Sequence, residues 1–400
     1  MKKRDGKKNI YLLGGSSMFN DAGSEMIASI LPFYITALGG GGVAIGALSG
    51  LREGLASIFK LLGGWYSDKL GKRMPFVFLG YLFSIISRFM LAIANSWQLI
   101  IGFVSLERLG KARDAPRDAL IAKFTKKRGW GFGIHQMFDT AGGIIGSILV
   151  LFLLWRLNLE LKTIILLAGM LSSLALIPLF FVKDVSSKPT KISLFKGIND
   201  LDKNLKYFIF VTAVFTLANF GLYMFLLLKA KEITGSIVTS IGLGVLFNVV
   251  WAFLSVTFGN LSDRLGRKTV IIMGYILFFA VSLGFVYANS LLALVILFIS
   301  YGLVYAITNA NQRAFVSDLS GKTKGTAQGF YQFVLGLASI MGGIIAGFFW
   351  SISPASMFIY LSAVSLISII LFLFVKDGNS DARTASVSYT HLTLPTIYSV

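Results

Sequence analysis

The sequence predicts an all-α membrane protein: twelve transmembrane helices in two pseudo-symmetric bundles of six. Three observations carry that expectation. Of 400 residues only 14% are charged, against about 25% in a soluble domain, while 55% are hydrophobic and the mean hydropathy is +0.76. Apolar runs of about 20 residues, long enough for a helix to cross a bilayer, recur along the chain without the alternation a lipid-facing strand needs. The second half of the chain also repeats the first.

Spans are expected at 10–38, 43–66, 75–94, 97–121, 131–155, 161–182, 205–228, 237–261, 269–288, 291–316, 326–350 and 355–375. The charged start "MKKRDGKKN" is followed by a segment too long for a signal peptide and without a small-residue cleavage site, so it reads as a retained first helix. With the N-terminus cytoplasmic, the inner segments hold 24 basic residues and the outer ones only Arg156, Lys162, Lys229 and Lys231. Basic residues stay on the cytoplasmic side, so both termini are expected inside the cell membrane and the span count even. A net charge of +19 is thereby explained by topology and attraction to anionic lipid, with no need of nucleic acid. The chain has no cysteine, which removes disulfides, thiolate metal sites and cysteine nucleophiles. The polar stretch 183–204 separates an N-terminal bundle, 1–182, from a C-terminal one, 205–377.

The repeat is explicit in "GGWYSDKLGKR", 63–73, and "GNLSDRLGRK", 259–268. At an offset of 195, Gly64, Ser67, Asp68, Leu70 and Gly71 meet Gly259, Ser262, Asp263, Leu265 and Gly266, followed by basic pairs. At 196, Arg117, Gly129, Gly133, Gln136 and Gly146 meet Arg313, Gly325, Gly329, Gln332 and Gly342. Internal duplication of this kind is typical of secondary transporters. Glycines at 64 and 259 would admit a neighbouring backbone. Asp68 and Asp263 are placed to cap or pair with a neighbouring helix end, and the basic residues to hold the loop at the inner leaflet.

These two loops are similar to the signature loop of the major facilitator superfamily, and the resemblance extends over residues 10–377. "NDAGSEM", "EG…KLLGGWYSD" and "APRDALIA" look like one prokaryotic branch of it. The resemblance implies a latch between bundles made by Gly64, Asp68, Gly71, Lys72 and Arg73 with Gly259, Asp263, Arg264, Gly266 and Arg267. It also places Arg108 where the family's span-4 arginine is expected. "AGGIIGSILV" is similar to the antiporter glycine motif, with Gly142 and Gly146 in place and Ser147 where that motif has proline. Its counterpart carries Gly343 and Gly347, and plain close packing would explain both stretches equally.

An ionisable group in lipid costs from about 3 to over 10 kcal/mol, so such groups face a cavity or a partner. Span 1 has Asn20, Asp21 and Glu25, with Asp21 near mid-membrane; Arg52, Glu53, Arg88, Glu107, Arg108 and Asp139 follow in spans 2 to 5. All eight charged residues are candidates for proton or substrate coupling, Asp21 first; its alternative is a fixed ion pair with Arg52, Arg88 or Arg108. Because Arg52 and Glu53 cannot share a helix face, one of them is expected to pair with another helix. Arg113, Asp114, Arg117 and Asp118 read as loop anchors, and His135 as a solvated or hydrogen-bonded residue near the inner face. Spans 7 to 9 carry no charge within 207–228, 237–261 and 269–288; Asn20 of span 1 and, in the second half, Asn219, Tyr223, Asn248, Tyr305, Asn309 and Gln312 are offered as a cavity wall.

Residues 378–400 lose the helical pattern and read as a non-native tail, excluded with His391 from function. There is no phosphate-binding loop, nucleophilic triad or metal-ligand histidine spacing, so neither an enzyme nor a cofactor is expected. The expectation is a monomeric secondary transporter using alternating access for proton-coupled efflux of a small amphipathic compound. The alternatives are an organic-anion carrier using Arg52, Arg88 and Arg108, a divalent-cation carrier using Asp21, Glu25 and Asp139, and a transporter-like sensor.

Overall fold

In lipid, backbone polar groups must be satisfied within the segment, so apolar runs of this length fold as helices. The computed structural model describes residues 3–125, 128–184, 199, 201–219, 222–321 and 324–377; the expected tail and most of the expected linker lie outside these. The helices are α1 (Lys3–Ala37), α2 (Gly42–Leu70), α3 (Met74–Ala92), α4 (Trp97–Leu109), α5 (Asp114–Phe124), α6 (Arg128–Trp155), α7 (Leu161–Ser173) and α8 (Leu176–Leu179) in the first half. The second half has α9 (Lys203–Asn219), α10 (Leu222–Thr234), α11 (Ile237–Leu265), α12 (Arg267–Tyr287), α13 (Leu291–Leu319), α14 (Lys324–Ile352) and α15 (Pro354–Leu373). Among the described residues there is no strand.

With α4–α5, α7–α8 and α9–α10 each taken as one crossing, these make twelve membrane segments. Ten are long and apolar enough to cross a membrane on composition alone; the two that are not, α1 and α4–α5, carry Asp21 and Glu25, and Glu107 and Arg108, of the candidate site. Two expected continuous spans are interrupted, each for a local reason. Between α4 and α5 a 3-10 turn, Gly110–Arg113, lets Gly110 lie against the Gly80 carbonyl of α3, and Arg113 donates to Gly110 O (2.8 Å) and Ser84 Oγ (2.9 Å). Between α7 and α8, Pro178 has no N–H to give Leu174, and the preceding turn tightens to Leu174 N–Leu171 O and Ala175 N–Ser172 O bonds.

Both ends of the described chain lie at one face, called the terminal face below: Lys183 N donates to Asn9 Oδ1, and Asn204 exchanges two 2.9 Å bonds with the backbone of Lys376. At the opposite face, serine caps start three helices. The Ser236, Ser290 and Ser353 hydroxyls accept from Thr239 N, Ala293 N and Ser356 N, supplying acceptors to otherwise orphaned amides of α11, α13 and α15.

The sequence repeat is matched by packing. Gly146 of α6 lies against the Ala22 carbonyl of α1, and its repeat partner Gly342 of α14 lies against the Leu217 carbonyl of α9. Between halves the main seam is α2 on α14, where Gly42, Gly46, Gly50 and Gly54 meet Gly347, Gly343, Ser339–Ile340 and Gly336 backbone to backbone. Gly343 and Gly347, expected as a helix contact, therefore join the halves. Helix α10, the portion of the seventh span away from the terminal face, touches α1 and α2, whereas α9 packs on α13, α14 and α15 of its own half. The halves are thus drawn together opposite the terminal face.

Candidate functional site

Two arginines from different helices converge on one glutamate. Arg88 of α3, 1% exposed, meets Glu107 Oε1 of α4 at 2.9 Å, and Arg108 holds Oε2 at 2.7 Å. Arg88 also donates to the Asn20 carbonyl of α1 (3.0 Å) and to Ser172 Oγ of α7, so one buried guanidinium links four helices. Charge-assisted bonds to both carboxylate oxygens hold Glu107 fixed. The alternative partners for Asp21 are thereby corrected: Arg88 and Arg108 belong to Glu107, and the Asp21 carboxylate accepts from Asn20 Nδ2 at 3.0 Å.

Around this triad stand charges that form no ion pair within 4.0 Å among the described residues: Asp21, Glu25, Arg52 and Glu53. The expected pairing of Arg52 or Glu53 with another helix is therefore not formed. Arg52 lies within electrostatic reach of Arg108, Glu107, Glu53 and Glu25, and the flanking positive charge of Arg108 opposes a tight pair. Asn248 and Tyr223 of the second half lie beside Glu25, and Tyr305 beside Glu53. The charged side of one half thus faces the polar-aromatic side of the other.

That second side is an aromatic cluster. Phe247 stacks on Tyr301 (centroids 5.1 Å) and meets Tyr223, Trp251 and Tyr305 at 5.5, 6.1 and 5.2 Å. Asn309 is half-buried on the same helix as Tyr305. Gln312 is corrected: it is buried, donating to Tyr275 Oη (3.0 Å) and accepting from Tyr331 Oη (3.2 Å), so it braces α12, α13 and α14 and faces no cavity. The side chain of Asn219 lies outside the described residues.

Asp139 is also corrected. It pairs with His135 at 3.2 Å in a separate cluster where Arg117 of α5 bonds Ser17 Oγ of α1 at 3.2 Å. Asp139 therefore does not join Asp21 and Glu25, and among the described residues no three acidic, histidine or cysteine side chains converge as a metal site would require. His135 itself is buried, not solvated. Lys111, Arg113 and Arg117 surround Asp114 at 3.9, 3.9 and 3.6 Å.

At the signature loops, Gly71 (φ 69°) and Gly266 (φ 94°) adopt the positive φ that lets the chain leave α2 and α11, and each donates its N–H to a serine carbonyl, Ser67 or Ser262. Gly64 has Ala115 Cβ in front of it, but Gly259 faces open space, so close backbone approach there is not observed. Asp68 pairs with Arg73, and Asp263 with Arg267, both at 2.9 Å and within their own loops. Asp68 also lies within electrostatic reach of Lys123 at the end of α5, and Arg267 also bonds Asp318 of α13, a partner the repeat gave no reason to expect since position 122 is alanine. Lys72 and Arg264 are exposed.

The Major Facilitator Superfamily profile matches residues 13–250 and 208–395. An uncharacterised MFS-type transporter of Methanocaldococcus jannaschii is 46% identical over 382 residues, 93% of this chain and 96% of that protein. The chain belongs to the major facilitator superfamily. This major facilitator is a multi-pass membrane transporter for a small molecule and not an enzyme. Multidrug resistance protein MdtH of Aeromonas hydrophila is 25% identical over 323 residues, 78% of this chain and 80% of that protein. The solved nucleoside transporter NupG shares the fold at a TM-score of 0.79 and 16% identity, covering 91% of this chain and 99% of that one. A bacterial homologue of the lysosomal transporter Spinster, in an inward-facing and occupied conformation, does so at 0.74 and 14% identity, covering 92% and 96%. Sequence reasoning missed Ser172, Ser17, Phe247 and Trp251 as parts of this facilitator's site. The last two stand four residues apart around Asn248, a helical-face signal that was present in the sequence.

Proposed function

We propose that this facilitator exports a small amphipathic compound in exchange for protons, as a monomer in the cell membrane with both termini and the terminal face in the cytoplasm. The observation that carries the reading is the facing of Glu25, Arg52 and Glu53 by Tyr223, Asn248 and Tyr305: one wall supplies charge, the other aromatic surface. Such a pocket suits a ligand with an apolar body and a polar group. The likeness to a multidrug resistance protein agrees with it. Asp21 and Glu25 carry the coupling proton in this reading, because neither is locked by an arginine as Glu107 is.

The contacts of α10 with α1 and α2 opposite the terminal face support alternating access in this reading: substrate enters from the cytoplasm, and the signature loops Gly64–Arg73 and Gly259–Arg267 latch when the halves rock the other way. The test is proton-linked flux in proteoliposomes. Asp21→Asn lowers it at least about tenfold, and Glu107→Gln does the same by releasing Arg88 and Arg108. Full flux in both variants overturns the coupling assignment, and flux insensitive to a proton gradient in the native protein overturns antiport.

A further inference from the structure

His135 and Asp139 stand one turn apart on α6, Nδ1 to Oδ2 at 3.2 Å. His135 is 4% exposed and its Nε2 is buried without a hydrogen-bond partner, while the Asp139 carboxylate stands beside Ser17 and Arg117 as well as His135. A buried imidazole with one nitrogen bonded and the other bare is an acceptor waiting for a proton; once protonated, both nitrogens donate and the neighbouring carboxylate holds the charge.

The surroundings define what else that charge would meet. From α5, Arg117 reaches Ser17 Oγ of α1 (3.2 Å), Asp118 (3.2 Å) and Asp114 (3.6 Å). From α1 come the Ser17 hydroxyl and, nearer the terminal face, Tyr11 and Lys7 against Trp130. From α11, which also packs on α6, no ionisable residue lies between 237 and 261. With a neutral imidazole the cluster balances: Lys111, Arg113, Arg117 and, from α2, Lys60 stand against Asp114, Asp118, Asp139 and, from α1, Asp21.

We infer that His135 and Asp139 form a proton-binding site at the junction of α1, α5 and α6, distinct from the arginine-held Glu107, and that its occupation loosens the Arg117–Ser17 tie. An imidazolium adds one positive charge to a balanced cluster and takes Asp139 for itself. Arg117, repelled from that side, moves toward Asp114 and Asp118 on its own helix. The contact given up is its bond to Ser17, on the helix that carries Asp21. Glu107 is unsuited to this role, because both its oxygens are engaged by guanidinium groups.

The chain has two histidines, so 15N-histidine labelling in a His391→Asn background of the full-length protein reports a single imidazole. The geometry predicts the Nδ1–H tautomer for the neutral imidazole, because Asp139 accepts from Nδ1, and a second proton on Nε2 on acidification. Asp139→Leu, which leaves no acceptor, abolishes the tautomer preference. An Nε2–H tautomer, an imidazole that takes no second proton on acidification, or a spectrum indifferent to Asp139→Leu overturns the site. The native spectrum decides the first two even if the variant misfolds. For the tie, protection factors across 114–124, which correct for the slowing of intrinsic amide exchange in acid, fall at least about threefold on acidification and not in His135→Gln; an equal fall in both overturns it. Neither measurement involves a transported compound, so both stand apart from the export reading.

Discussion

Along α2, Gly42, Gly46, Gly50 and Gly54 lie on the backbone of α14 at Gly347, Gly343, Ser339–Ile340 and Gly336. The duplicated positions on the other seam between the halves, α11 against α6, are Ile237, Ile241, Val245 and Val249 with Leu151, Ser147, Gly143–Ile144 and Thr140, and Gly143 faces open space there. Nothing in the duplication itself makes the seams unequal; side-chain volume does. Without a hydrophobic drive between helices in lipid, close van der Waals approach is what binds them, and only the first seam permits it. On the second, Val249 remains 40% exposed. One edge of the molecule is therefore sewn and the other merely adjacent, and the alternating-access reading proposed above takes α2–α14 as the axis about which the halves turn.

The largest effect should come from unpicking the sewn edge. A Cβ at Gly46 would overlap the Gly343 carbonyl oxygen, so Gly46→Val should cost about 3 kcal/mol or more, read as a lowered melting temperature in detergent. Its counterpart Ile241→Val, removing one methyl, should cost only about 1 kcal/mol. Next in size is a comparison within the first half: Glu107→Ala strands Arg88 and Arg108 and should cost about 3–5 kcal/mol in the same assay. If it costs under about 1 kcal/mol, the triad is not what joins α1, α3, α4 and α7. Gly146→Ala and Gly342→Ala test packing the duplication kept. Each should lose about 1–3 kcal/mol by similar amounts, since each glycine abuts an equivalent carbonyl. The smallest effect belongs to Asp263→Asn. Its pair with Arg267 is exposed, so stability should move by less than about 1 kcal/mol, and less still in high salt.

Much of this was legible in the sequence because hydropathy and repetition are properties of whole segments. The twelve crossings, the turns at Gly71 and Gly266 and the separation of charged from aromatic halves all follow from residue type and spacing. Pairing was not legible. Glu107 takes both arginines because of where α3 and α4 cross, and no spacing records that Arg88 reaches Asn20 and Ser172 on two other helices. Asp139 was misplaced for a related reason: its partner His135 lies on the same helix four residues earlier, while the nearby cation, Arg117, is brought up by a helix broken at Gly110. Gln312 was misread as cavity wall because a polar residue on a membrane helix can equally well bond inward, here to Tyr275 and Tyr331.

The unequal seams can be tested directly by spin-label distances, since the chain has no cysteine to remove before labelling. One pair, Val43→Cys with Phe348→Cys, spans α2–α14; the other, Ile148→Cys with Val249→Cys, spans α6–α11, and all four positions are exposed. In liposomes with and without a proton gradient, the account predicts a single unchanged distance across the first pair and a shifted or second distance across the other. Equal displacement of both pairs, or movement at α2–α14 alone, would contradict it.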